Sequence, residues 1–250
     1  MASAIVQVSV GPIGDVTFPS TPTEGNLLIA VMQGRSGQDH DEASDPVAND
    51  GYVFRAEYPN TDATYRRSMW VFSKVAGAAE ATAVTFAWTS GSGAETCVIA
   101  EYSGVAGDFL SSDNTGNSGN ASGTAFDTGS IAGSGNRFGF CVTGWKSDHA
   151  SDGTVTWDSF TKDDDYTDST SASSLQGDDG TFTIEMSIAS LDFTGSTAIV
   201  EGGDWSSSIT TNSGVNAIML VWDRDAPGGG TNPKGPLGMP LYVPFRGPLG

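Results

Sequence analysis

Leucine is scarce in this chain, with nine copies in 250 residues, while Gly is abundant with 33. Leu is among the best helix formers and Gly the worst ordinary one, so a helical protein is not expected. No apolar run approaches the roughly 18 residues of a membrane-spanning helix. The N-terminal Met1-Ala-Ser-Ala also lacks the basic region and long apolar core of a signal peptide. Basic residues are few: 11 Lys and Arg stand against 30 Asp and Glu, for a net charge of −19. Such a surface repels a phosphate backbone, which argues against nucleic acid as a partner. Only two cysteines occur, Cys97 and Cys141, each inside an apolar segment. Their number and spacing fit neither a zinc site nor a disulfide scaffold. They read as small buried residues, with a disulfide between adjacent strands as the sharper alternative.

What is present is strand chemistry. Ile5 to Val10 alternates, setting Val6, Val8 and Val10 on one face and Gln7 and Ser9 on the other. Val84-Thr-Phe-Ala-Trp88 repeats the pattern, as does Thr181 to Ile188, where Phe182, Ile184, Met186 and Ile188 share a face. Asn26 to Met32, Ser68 to Val75, Phe138 to Val142 and Ala217 to Trp222 are apolar on both faces. They read as central strands covered on two sides, or as strands whose outer face meets a partner. Between the strands lie turns rich in Gly, Ser, Asn and Asp, with no helical segment between them. The expected fold is therefore all-β, an antiparallel β-sandwich of the jelly-roll kind, over residues 1–226. Three connections are long, 34–49, 111–124 and 163–177, a length that marks functional or mobile loops. An internal echo sets Asn26 to Gly34 against Asn136 to Gly144, as though each opened half of one sandwich.

Residues 227–250 have a different character. They hold six Pro, seven Gly, Lys234 and Arg246, and no acidic residue. Their charge of +2 leaves −21 on residues 1–226. Met239, Leu241, Tyr242, Val243 and Phe245 make the segment too apolar for a solvated linker. Pro240 and Pro244 lack N–H donors on the side that Tyr242 shares, which leaves Met239, Leu241, Val243 and Phe245 to donate on the other. That is the pattern of an extended arm pairing along one edge. Lys234, Met239, Leu241, Tyr242, Val243, Phe245 and Arg246 are its candidate partner-binding residues.

Catalytic chemistry is poorly represented. His40 in Gln38-Asp-His-Asp-Glu42 and His149 in Lys146-Ser-Asp-His-Ala150 are flanked by carboxylates, but no nucleophile elbow or zincin motif accompanies either. An enzyme is not expected. Acidic clusters occur at Asp39, Asp41, Glu42 and Asp45, at Asp163 to Asp165, and at Asp178 and Asp179. Calcium is the cation whose oxygen chemistry they suit, but they match no calcium-binding repeat, and a solvated acidic surface with no cofactor is expected. Trp145, Trp157 and Trp205 lie at or beside loops. They are read either as caps on the sandwich core or as glycan-stacking platforms.

Gly25-Asn-Leu-Leu-Ile-Ala-Val31, Trp70-Val-Phe-Ser-Lys-Val-Ala-Gly77, Val84-Thr-Phe-Ala-Trp88 and Ala100-Glu-Tyr-Ser-Gly-Val105, in that order, resemble a jelly-roll module of bacteriophage virion proteins, decoration or tail proteins, and of some bacterial surface proteins. The likeness covers about the first 105 residues well and continues loosely to Trp222; the arm is not part of it. It implies a structural protein on the exterior of the virion, most simply a capsid decoration (cement) protein. Its partners would be itself, as a homo-oligomer such as a trimer, and another virion protein such as the major capsid protein, with no nucleic acid or membrane. The alternative is a carbohydrate-binding module, or a tail or baseplate component for host attachment.

Overall fold

The computed structural model describes residues 2–12, 16–34, 47–48, 50–59, 68–87, 95–105, 109–116, 125–132, 135–147, 155–166, 183–196, 198–205 and 215–224. Among them every regular element is a strand, and neighbouring strands pair antiparallel. The first half contributes β1 (Ala4–Pro12), β2 (Val16–Thr17), β3 (Leu27–Gly34), β4 (Val47–Ala48), β5 (Val53–Pro59), β6 (Ser68–Val75), β7 (Ala83–Val84), β8 (Phe86–Ala87) and β9 (Glu95–Ser103). The second contributes β10 (Phe109–Gly116), β11 (Ala125–Ile131), β12 (Asn136–Ser147), β13 (Val155–Trp157), β14 (Thr161–Tyr166), β15 (Thr183–Thr194), β16 (Ile199–Trp205) and β17 (Val215–Asp223).

Two five-stranded sheets form the centre, ordered β1-β9-β3-β6-β5 and β10-β17-β12-β15-β14. Their facing sides share one core. Leu27, Ile29, Val31, Met69, Val71, Val98, Ala100 and Tyr102 come from the first sheet, and Phe138, Phe140, Val142, Met186, Ile188, Ile218, Leu220 and Trp222 from the second. The outer face of the first sheet, with Leu28, Ala30, Met32, Trp70, Phe72 and Ile99, is covered by Val16 of β2, Val84 of β7 and Phe86 of β8. The outer face of the second, with Cys141, Ala189, Ala217, Met219 and Val221, is covered by Phe126, Val155, Trp157 and Trp205 of the sheet β11-β16-β13. The central strands are therefore apolar on both faces because both faces are buried. Ala217 to Trp222 shows this most simply: odd positions enter the outer core and even positions the shared one.

The two halves have the same order. β1, β9, β3, β6 and β5 correspond to β10, β17, β12, β15 and β14, and the pairs β2-β7 and β4-β8, separated only at Thr85, correspond to β11-β16-β13. The two segments of the sequence echo, β3 and β12, are the middle strands of separate sheets and do not each open half of one sandwich. The echo is also offset by one residue. It sets Leu27 against Arg137, but Leu27 and Phe138 face the shared core while Leu28 packs on the outer side. A slip of one residue exchanges the two faces of a strand.

Three other expectations change. The ladder of β1 on β9 shifts between Ile5 and Gln7, so Ile5, Val8 and Val10 pack on the shared core while Val6 is 49% exposed. A bulge inserts one residue and reverses the alternation beyond it. Ser111–Gly116 and Asp163–Tyr166, expected in long connections, extend β10 and β14 instead. Cys97 and Cys141 are free, and they lie in the two opposite outer cores. No disulfide joins them, and burial pushes both thiols above their usual range.

Candidate functional site

Trp157 and Trp205 are interior residues. Trp157 is 9% exposed and stands edge-on to Phe126 at 5.1 Å, and its Nε1 donates to Ser187 Oγ at 3.1 Å. Trp205 is 2% exposed and its Nε1 donates to Thr143 Oγ1 at 3.3 Å. Each indole has its polar handle satisfied inside the core and neither offers a ring face on which a sugar could stack. The backbone of Trp145 lies in β12 opposite Glu185 and Val215. The side chain of Trp145 lies outside the described residues, as do His40, His149, Asp39, Asp41, Glu42, Asp45, Asp178, Asp179 and the arm residues Lys234, Met239, Leu241, Tyr242, Val243, Phe245 and Arg246. Asp163, Asp164 and Asp165 belong to β14, an outermost strand of its sheet, where charge suits an open edge. Among the described residues no three His, Cys, Asp or Glu side chains gather as a metal site.

The two ends of the molecule are unlike. Gly34 pairs with Ser68, and Ser68 with Pro59, at one end of the first sheet. The same end of the second sheet is marked by Gly144, since a Cβ placed there would lie 2.2 Å from Gln33 Oε1 and 2.8 Å from Met69 Cε. The seven longest internal stretches outside the described residues, 35–46, 60–67, 88–94, 117–124, 148–154, 167–182 and 206–214, all attach to strands of the large sheets at this end. The interior at this end of the two sheets is polar. Gln33 and Asn216 are buried with no hydrogen-bond partner for either side-chain amide among the described residues, and Thr143 Oγ1 donates to the Asn216 carbonyl at 3.0 Å.

Two buried carboxyls fasten the outer layers. Glu101, on β9, accepts from Thr23 N at 2.8 Å, Asn26 Nδ2 at 2.5 Å and Gln7 Nε2 at 2.5 Å. Burial pushes this carboxyl up, but the donated bonds outweigh it and hold it below the usual range. Glu201, on β16, accepts from Ser159 N at 3.0 Å and Phe160 N at 3.2 Å, while its Oε2 is buried without a partner among the described residues. Here burial dominates, helped by Asp158, and the carboxyl is raised. Sequence reading passed over both. The available signal was a lone acid inside an apolar strand, Cys97-Val-Ile-Ala-Glu-Tyr102, because a buried charge is kept only where donors meet it.

Glu201 carries a prediction. Its folded pKa is raised, so the stability it contributes is present below its unfolded pKa and is lost as pH rises through the folded pKa. Glu201→Gln keeps the acceptor for Ser159 and Phe160 and cannot ionise. Urea unfolding of both proteins at pH 4 and pH 8 should show the variant gaining on the parent at the higher pH; a difference that does not change with pH contradicts this assignment.

Comparison with protein-family models, with characterised proteins and with solved structures finds no match to this chain.

Proposed function

We propose that this chain is a bacteriophage virion structural protein, a capsid decoration protein of the particle exterior, built as two successive jelly-roll units and a C-terminal arm. The observation that supports the reading is strand order. Numbering the strands of the second half one to eight gives 1-8-3-6-5 over 2-7-4, which is the winding of two sheets in a jelly roll, and the first half repeats it. A doubled, four-layered all-β body suits a static building block, since the central strands of both large sheets are packed on both faces.

The arm supplies the assembly contacts in this reading. A short segment whose backbone donors and apolar side chains cannot be satisfied within itself orders on binding, so association and folding of the arm occur together. Its positive charges, Lys234 and Arg246, complement a body of net −21. The partners are further copies of the chain and a second virion protein such as the major capsid protein.

Truncation after Ala226 tests this. The shortened chain should remain folded and soluble, with the melting behaviour of the parent, and should fail to assemble by sedimentation or by occupancy of the particle. A truncated chain that assembles as well as the parent refutes the proposal.

A further inference from the structure

Four strands form the edges of the two large sheets: β1, β5, β10 and β14. Three carry charge along their length, Arg55 and Glu57 in β5, Asp113 in β10, and Lys162 with Asp163 to Asp165 in β14. Charged side chains on an edge oppose pairing with another chain. β1, Ala-Ile-Val-Gln-Val-Ser-Val-Gly-Pro, has none over nine residues. It pairs with β9 on one side, and among the described residues no strand lies on the other. From Gln7 to Pro12 its ladder is regular, so the open side presents an ordered row of backbone groups.

We infer that β1 is the docking edge for the C-terminal arm of a second copy of this chain, with residues 239–245 adding an antiparallel strand to the first sheet. This rests on the assembly role proposed above for the arm. The lengths are commensurate: residues 239–245 number seven, against the six of β1 from Gln7 to Pro12 whose ladder is regular. The chemistry agrees as well, since the arm donates from Met239, Leu241, Val243 and Phe245 on one side only and brings positive charge, while β1 offers one open side without charge.

Direction favours a second copy over the arm's own body, because the chain's own arm would have to spend residues 225–238 running along the sheet before it could turn back antiparallel. Arg224 N donates to the Asn136 carbonyl, and the Arg224 side chain pairs with Asp192, which also accepts from Ser3 N at 2.8 Å. The arm thus departs beside the beginning of β1. Advancing from there it would run parallel to its own β1, whereas the strand pairs of the body are antiparallel. To reverse, it would first have to travel the length of the sheet. A neighbouring copy approaches from either direction without that detour.

The test uses the full chain. Val6 is exposed and Ser9 is half-buried on the side of β1 away from the shared core, so Val6→Lys/Ser9→Lys guards the edge and leaves the shared core intact. This variant should melt as the parent does yet lose assembled species at least tenfold by sedimentation. In parallel, a chain with Ser9→Cys is mixed with chains carrying Leu241→Cys, Tyr242→Cys or Val243→Cys and mildly oxidised. At least one arm position should give a two-chain disulfide product tenfold above that obtained with Leu110→Cys on β10. Equal yields at Ser9 and Leu110, a cross-link that forms only within a chain carrying both cysteines, or Ser9 joining Ser9 of another copy in the truncated chain each overturn the inference. Truncation that abolishes assembly while the double-lysine variant still assembles leaves the arm's role standing and removes β1 as its edge; assembly without the arm removes the role itself.

Discussion

Trp222→Ala should lower the unfolding free energy by about 3 to 5 kcal/mol, the range for emptying a large aromatic site in a core. Few single changes should cost this chain more, because Trp222 lies in the core that the two large sheets share. It pairs with Phe138 on β12 and with Phe109 on β10, its ring lies 5.4 Å from that of Phe109 and 6.1 Å from that of Phe138, and Phe138 in turn lies 5.0 Å from Tyr102 of the first sheet. The indole is 1% exposed, so no water replaces its contacts and the surrounding sheets can collapse only partly. Since domains are typically stable by about 5 to 15 kcal/mol, such a loss brings the fold close to its limit. Urea unfolding followed by fluorescence or circular dichroism measures it; a loss under about 1 kcal/mol would show that Trp222 is not central to that core.

Glu101→Ala is expected to cost about 2 kcal/mol, since hydrogen bonds to a charged group contribute roughly 1.5 to 3 kcal/mol and the donors left behind, at exposed Thr23 and half-buried Asn26, can turn to water. Thr23 N and Asn26 Nδ2 lose the carboxylate outright, while Gln7 Nε2 retains the Ser20 carbonyl at 3.0 Å. The structural effect is local: the turn before β3 and the start of the chain are released from β9. The pH dependence has the opposite sign to that of Glu201. Glu101 is held below its usual range, so its contribution is present above the unfolded value, about 4.3, and is lost as pH falls through the folded one. The gap between parent and Glu101→Ala should therefore be widest near neutral pH and narrow under acid conditions. A gap that persists unchanged at pH 3 would show that the charge of Glu101 plays no part.

The same two residues show where reading the sequence stops. That Glu101 and Glu201 interrupt apolar strands is visible in the string of letters; which donors reach them is not, because Thr23 and Ser159 arrive from connections whose path depends on the other sheet layer. The tryptophans behave likewise. Trp157 and Trp205 sit next to polar stretches in sequence, and proximity to a loop leaves open whether a ring points out or in. The three-stranded cover over the second sheet turns them inward.

Local chemistry fixed the class of this protein. Scarce Leu, abundant Gly, two-residue alternation and polar turns leave all-β structure as the outcome, because a strand's faces are set by a period of two within a few residues. The double apolar faces of Asn26 to Met32 and Ala217 to Trp222 even announced strands covered on both sides, and the division of charge between body and arm is a property of composition alone. Tertiary structure decided the rest: that there are two sheets of identical order, that Val6 turns outward at a bulge, that the echo between β3 and β12 is displaced by one residue, and that β1 is an edge free of charge. These are matters of which distant strand pairs with which and in what register, and strands of one period carry no local mark of their partners.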